Sequence, residues 1–521
     1  MRRASFGVRR SAFDGRYNPR IPTSKHCASA VVVSALGLLL AACHVPPSSR
    51  AAGSTRRADP ALAVLIRDID GILGDAALAH GYWGVLVKSL KTDETLYELN
   101  SRKLLVPASN MKIVTLAAAA ERLGWDYSYD TQLLAAGRID AGRLDGDLLV
   151  VGSGDPSVMD ADVDRVFAGW ADRLEAMGVR TVSGRLVGDD NAFDDEGLGF
   201  GWSWDDLPDD YAAGVSALQF NENAVRLTVG PGAAVGDYAA ISLSPPGSGL
   251  IVDSMLRTSA ADTAASVAAR RLPGSARLVL RGSIPLGGTP ATRSVSVDNP
   301  TIFFVNALRN ALIARGIDVR GPAVDVDDVS DAPPKNSATL VASYRSPPLS
   351  VLAVRLMKVS QNLYAETLLK TIGSAAGAAT FAAGRTNAQA TLQAWGVGAG
   401  DLIERDGSGL SRYDFVTPAA LVTILTHVDR DEKLRGPFES ALPIAGRDGT
   451  LANRMKATPA EGNARAKTGS MSNVRALSGY VTSADGEPLV FSIIANNFDT
   501  APETITRAAD AIVVKLAEFR R

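Results

Sequence analysis

Cysteine is nearly absent. The 521-residue chain has two, Cys27 and Cys43. Both lie in the first 43 residues, so the rest of the chain has no thiol and no internal disulfide, and its stability must come from its cores. Histidine is as scarce. Of four, His26 and His44 sit in the N-terminal stretch, and His80 and His427 each stand alone. That is too few and too scattered for a zinc site, and it supplies a Ser–His–carboxylate triad poorly. Neither sign of charge dominates: 54 Lys+Arg against 56 Asp+Glu give a formal net charge of −2. The strong basic balance of a nucleic-acid binder is therefore missing. The apolar run "ASAVVVSALGLLLAAC", ending at Cys43, is short for a membrane span.

What is present begins with that run. Arg2, Arg3, Arg9, Arg10, Arg16, Arg20 and Lys25 precede it. A basic region, a short apolar region and small residues at its end make an export signal. Leu40-Ala41-Ala42-Cys43 resembles a bacterial lipobox. The resemblance implies that residues 1–42 are removed, that Cys43 is lipidated, and that the protein is periplasmic and held to a membrane by its lipid. Ordinary cleavage after an A-x-A-like site and an uncleaved anchor are the other readings. Residues 43–58 read as a flexible tether.

The length suits two to four domains, and 46% hydrophobic residues suit a soluble globular protein. Apolar spacing predicts a helix over Asp59–Leu73, and another from Ser109 to Leu123, stopped by Gly124. Between them "GYWGVLVKSL" and "TLYELN" flank the turn "KTDE" as a hairpin. Further helices are expected over Pro347–Gly373, Thr417–Val428 and Thr500–Arg521, the last opened by a capping box at Thr500 and Glu503. Near the end, "VRALSGYVTS" and "PLVFSIIANN" read as strands joined by "ADGE". Residues 59–126 and 340–521 thus supply helices and strands for one domain. Residues 127–339 hold short β-like runs and glycine turns, with one helix at "TIFFVNALRNALIARG" and a linker-like "VDVDDVSDAPPKNSA". They read as one or two β-rich modules inserted into a surface loop.

Three short motifs could carry chemistry. Ser109 and Lys112, three apart, share one face of a helix start. Ser109 there sits at the positive end of the helix, which favours developing negative charge. A lysine in so apolar a helix tends to lose its proton, which places a base beside a nucleophile. Ser360-Gln361-Asn362 lies in the second helical region. Lys467-Thr468-Gly469-Ser470 lies near a strand edge, where glycine lets a ligand approach the backbone. Each motif alone is weak. In this order they form the set of penicillin-binding proteins and class A β-lactamases.

The stretch from Ser109 to Ser360 is far longer than a β-lactamase's and is filled by the β-rich insertion. With "PASNMKIVTLAAAAERLG", "VVGSGDPSV", "GWSWDDLPDDYAAGVSAL", "DGSGLSRYDFVTP" and "GRDGTL", the chain from about Asp59 onward resembles the D-alanyl-D-alanine carboxypeptidase/endopeptidase family (peptidase family S13, the class C low-molecular-weight penicillin-binding proteins). The resemblance implies an α/β (α+β) fold: a transpeptidase-like domain, with an antiparallel sheet flanked by helices, carrying the insertion. It implies peptidoglycan stem peptides and their cross-links as substrates, β-lactams as inhibitors, and neither metal nor organic cofactor. Ser109 would be the nucleophile and Lys112 its base. Ser360 and Lys467 would relay a proton, and Asn362 would hold the substrate amide. Lys467 and Thr468 would bind the terminal carboxylate, with Gly469 giving close access. Backbone N–H groups of Ser109 and Ser470 would form the oxyanion hole. Which of Lys112, Ser360 and Lys467 moves which proton stays open. Arg412 and Asp189 match positions that bind a diaminopimelate side chain, and Asp190 competes with Asp189 for that role. The family pattern usually carries asparagine at the position of Asp414. A serine β-lactamase or esterase on the same scaffold, and a non-catalytic cell-wall-binding lipoprotein, are the alternative readings.

Overall fold

A computed structural model describes residues 59–521; the signal, the tether and Cys43 lie outside the described residues. Five antiparallel strands form a sheet in the order 465–471, 474–482, 488–496, 82–89, 95–99. The two ends of the chain therefore meet in one sheet. Tyr82–Ser89 pairs with Pro488–Asn496 in a continuous register from Tyr82 opposite Asn496 to Ser89 opposite Leu489. These strands are apolar on both faces, as strands covered on both sides must be. Side chains alternate between the faces: Val85, Val87 and Ile493 belong to one core, Leu86 and Ile494 to another.

On the first face lie the terminal helices Pro60–Leu73 and Pro502–Glu518, through Ile69, Ile512 and Leu516. On the other lies Met111–Leu123, buried from Met111 to Ala120. It packs among Leu349–Lys358, Asn362–Ser374, Phe381–Ala394 and Pro418–Arg430. Full burial of an Ile or Leu side chain contributes about 1.5–3 kcal/mol, so this central helix is fixed in place. A polar side chain on it is held with equal firmness.

The helical region 347–373 is two helices, with the Ser360–Asn362 motif at their junction. Ser360 between them has φ 65°, outside the right-handed helical region, and the Gln361 side chain caps the second helix at the Leu363 N–H, 3.1 Å away. One expectation about helices changes. The last helix begins at Pro502, and its N-cap residue, Ala501, makes no side-chain cap bond. The Thr500–Glu503 capping box does not form, because proline's fixed φ starts the helix two residues later.

In the middle of the chain, Arg143–Val151 and Asp130–Asp140 pair antiparallel, and Thr339–Arg345 joins beside the latter. Leu186–Asp189 runs parallel to Arg143–Val151. Smaller sheets lie within residues 224–296, and helices Val163–Ala176 and Pro300–Ala314 share a core with them. No helix among the described residues is long and apolar enough to cross a membrane.

Candidate active site

Ser109 stands in the short 3-10 turn Ala108–Asn110, which runs straight into helix Met111–Leu123. The turn is strained: Ala108 has φ 46°, a conformation held only where neighbours over-determine it. Two glycines do this. A Cβ on Gly409 would lie 1.9 Å from the Ala108 carbonyl oxygen, and one on Gly469 would lie 2.5 Å from that of Pro107. Residues 407–411 and the edge strand Arg465–Met471 thus clasp the serine turn from two directions. Asn110 ties the turn to the strand, its Nδ2 donating to the Lys467 carbonyl at 3.1 Å.

One turn into the helix, Lys112 is wholly buried. Its Nζ lies 2.9 Å from Ser109 Oγ, 2.6 Å from Asn362 Oδ1 and 2.9 Å from the Ser408 carbonyl. Burial lowers its pKa to about 7, against the opposing pull of Asp406, Glu366 and Asp414. An uncharged amine has two N–H groups and one lone pair. The two carbonyl oxygens accept the N–H groups, and the lone pair is left for the Ser109 hydroxyl. That is the arrangement of a general base and its nucleophile.

A second lysine–serine pair stands beside the first. Lys467 Nζ donates to Ser360 Oγ at 2.9 Å and to the Thr468 carbonyl at 2.8 Å. Burial, then the charge of Lys112, holds this amine well below the usual lysine range. The left-handed Ser360 turns its hydroxyl toward this pair, and Asn362 opens the next helix. Asn362 Nδ2 donates to the Tyr211 carbonyl at 2.7 Å, while Thr468 Oγ1 bonds Thr450 Oγ1 at 2.7 Å.

Ser109, Ser360, Asn362, Arg412 and Ser470 line one cleft of about 340 Å3. Lys112 and Lys467 reach it through their bonds to the two serines; Thr468 and Gly469 lie on its edge strand. His80 and His427 are not among its lining residues. Asp189 is the exception among the expected site residues. It is buried, its carboxylate is paired with Lys335 Nζ at 2.7 Å, and it does not line the cleft. Nor does Asp190, which accepts from the Ser216 and Thr301 hydroxyls at 2.9 and 2.5 Å. The acid that does line the cleft is Asp206, with Tyr211 next to it; the Tyr211 hydroxyl donates to Asp206 Oδ1 at 2.9 Å. Both belong to "GWSWDDLPDDY". A sequence signal existed there, since that segment is rich in acids and aromatics, but nothing in the sequence ranked its acids above Asp189.

Among the described residues, Asp190, Asp325 and Asp327 bring carboxylate oxygens within 4.8 Å of one another. None of the three lines the cleft.

Comparison with known proteins gives concordant results. The profile of the D-Ala-D-Ala carboxypeptidase 3 (S13) family matches residues 65–518. The D-alanyl-D-alanine carboxypeptidase of Actinomadura sp. (strain R39) is 38% identical over 470 residues, 88% of this chain and 85% of the relative. The D-alanyl-D-alanine carboxypeptidase DacB of Haemophilus influenzae is 26% identical over 82% of this chain and 88% of its own. The crystal structure of penicillin binding protein 4 (dacB) from that organism superposes with a TM-score of 0.75 at 26% identity, covering 86% of this chain and 97% of that one. The same protein has been solved with a β-lactam; that structure superposes with a TM-score of 0.69.

Proposed function

The chain belongs to the D-Ala-D-Ala carboxypeptidase 3 (S13) family, and from that premise we propose how its cleft performs the reaction. The protein is a serine-type D-alanyl-D-alanine carboxypeptidase, a penicillin-binding enzyme that acts on peptidoglycan stem peptides. Ser109 Oγ attacks the carbonyl of the penultimate D-alanine while Lys112 Nζ takes its proton. The oxyanion forms against the backbone N–H groups of Ser109 and Ser470. Such a donor is worth about 2.7–4 kcal/mol in other acyl-transfer enzymes. The Ser360–Lys467 pair relays the proton taken up by Lys112 to the leaving amine, and the C–N bond breaks to leave an acyl-enzyme on Ser109. Lys467 and Thr468 hold the terminal carboxylate, and Asn362 holds the substrate amide and the base together. Water then releases the acyl group.

Arg412 and Asp206 carry opposite charges in the same cleft. We assign them the amino- and carboxylate-bearing end of the stem peptide's diamino acid, in place of the pair Arg412 and Asp189. A zwitterionic group needs one anionic and one cationic partner. A cross-link contains the same kind of bond, so endopeptidase action follows from the same chemistry. The basic and apolar stretch ending at Cys43 supports a periplasmic, lipid-anchored placement.

The observation that carries the reading is the meeting of Lys112 Nζ with Ser109 Oγ beside the parallel Lys467–Ser360 contact. Purified protein incubated with a stem pentapeptide ending in D-Ala-D-Ala should release free D-alanine, and Ser109→Ala should release none. Equal release by both proteins would refute the assignment.

A further inference from the structure

Three carboxyl groups act on the buried amine of Lys112, Glu366, Asp406 and Asp414, and a fourth, Glu404, is buried beside them; none plays a part in the steps above. All are at most 2% exposed. Four acids and one amine cannot all be ionised in so dry a place, because an unpaired buried charge is neutralised instead. The hydrogen-bond donors show where the protons must sit. Glu366 accepts the backbone N–H groups of Gly407 and Ser408 at 2.9 and 2.8 Å. Asp406 accepts three donors, the N–H groups of Gly409 and Ser411 at 2.7 and 2.6 Å and the indole N–H of Trp202 at 2.8 Å. Burial, and next the Asp406 charge, push the Glu366 carboxyl up to about 8. Asp406, with its three donors, is built to carry negative charge.

Asp414 is not. Its Oδ1 accepts the Arg405 N–H at 2.5 Å and, at 3.4 Å, that of Asp406. Its Oδ2 is buried and finds no donor among the described residues, and neither oxygen of Glu404 finds one. The Asp414 carboxyl faces that of Asp406 across a hydrogen bond. Such a bond between two carboxyl groups requires a proton. Since Asp406 is already engaged by three N–H donors, the proton belongs to Asp414.

We propose that Asp414 is a protonated carboxylic acid in the working enzyme, and that its donation to Asp406 positions the 405–411 turn whose Ser408 carbonyl holds the Lys112 amine. Asp414 is a positioning residue, acting through Asp406, Gly409 and Ser408. When its proton leaves, two adjacent carboxylates face each other in a dry interior and one must move. The turn that presses Gly409 against Ala108 moves with it, and Lys112 loses its register on Ser109. Burial, and next the Asp406 charge, keep the Asp414 proton on well above the usual carboxylate range. The other groups acting on it are the Glu404 charge and the Arg405 backbone N–H on its own loop, and Lys112 from helix Met111–Leu123, which Glu366 from helix Asn362–Ser374 also acts on. Arg385, from helix Phe381–Ala394, acts on Glu404.

Two substitutions separate a proton donor from a merely buried polar side chain. Asp414→Asn supplies a permanent donor of the same shape, and Asp414→Ala supplies none. Acylation by a chromogenic β-lactam is followed from acid to alkaline pH in both variants and in the wild type. The wild-type rate is expected to fall on the alkaline side. Asp414→Asn is expected to track the wild type at neutral pH and to lack that fall, while Asp414→Ala loses about 10- to 100-fold at every pH, the scale of a misplaced catalytic group. In protein carrying 13C-carboxyl aspartate, infrared spectra at neutral pH should show the carbonyl band of a protonated acid, absent from Asp414→Asn. An identical alkaline fall in Asp414→Asn, a folded but inactive Asp414→Asn, or no protonated band in the wild type would overturn the proposal. The kinetic arm rests on Ser109 and Lys112 reacting as described and the infrared arm does not, so a protein that takes no acyl group but shows the band would condemn that reading and leave this one standing.

Discussion

The side-chain oxygen of Asn362 accepts a 2.6 Å hydrogen bond from the Lys112 amine, although the two stand 250 positions apart in the chain. The same amide donates at its other end to the Tyr211 carbonyl at 2.7 Å. One side chain thus links the helix that carries Lys112, the second motif, and the acidic segment that lines the cleft. Because a carbonyl oxygen lies on its nitrogen side and an amine on its oxygen side, the amide has one satisfied orientation.

That orientation makes a prediction about pH. In the proposed reaction Lys112 acts on Ser109 only when uncharged, and its pKa is lowered to about 7 by burial. Acylation should therefore rise with pH up to about 7 and level off above, before the Asp414 limb sets in. Lys112→Met should lose this rise and at least about a hundredfold in rate, the usual share of a general base. Stopped-flow acylation over the pH range checks both. A rate that does not change below neutral pH would show that another group takes the proton.

A second prediction concerns the clasp on the serine turn. Gly469→Ala introduces a Cβ only 2.5 Å from the Pro107 carbonyl oxygen. The strand must move away from Ser109, carrying Lys467 and Ser470 with it. Overpacking of this kind costs about 1–3 kcal/mol of stability. Acylation should fall further than that loss explains, because the Ser470 N–H and the second lysine are displaced from Ser109. Thermal melting and acylation rate, measured on the same preparation, check the difference; wild-type acylation in a destabilised Gly469→Ala protein would contradict it.

The sequence made part of this legible for physical reasons. Residues three apart at a helix start must share a face, so Ser109 and Lys112 could be paired without coordinates. The hairpin at "KTDE" and the strands near the C-terminus declared themselves through apolar runs and turn residues. The left-handed backbone of Ser360, at the junction of two helices, did not, because it is imposed by packing around a residue that local preference would leave helical. The assignment of Asp189 was illegible for a similar reason. Its partner, Lys335, is remote in sequence and sits in a stretch that reads as a linker, while Asp206 reaches the cleft only through the course of the 197–214 segment. The carboxyl cluster could not be read either, since the spacing of acids does not reveal which of them receive backbone N–H groups.

The most direct test is intact-protein and peptide mass spectrometry after exposure to a β-lactam. The account requires a single adduct of the whole antibiotic's mass on the peptide containing Ser109, lost in Ser109→Ala and strongly slowed in Lys112→Met. An adduct on any other side chain, or one that persists in Ser109→Ala, would contradict it.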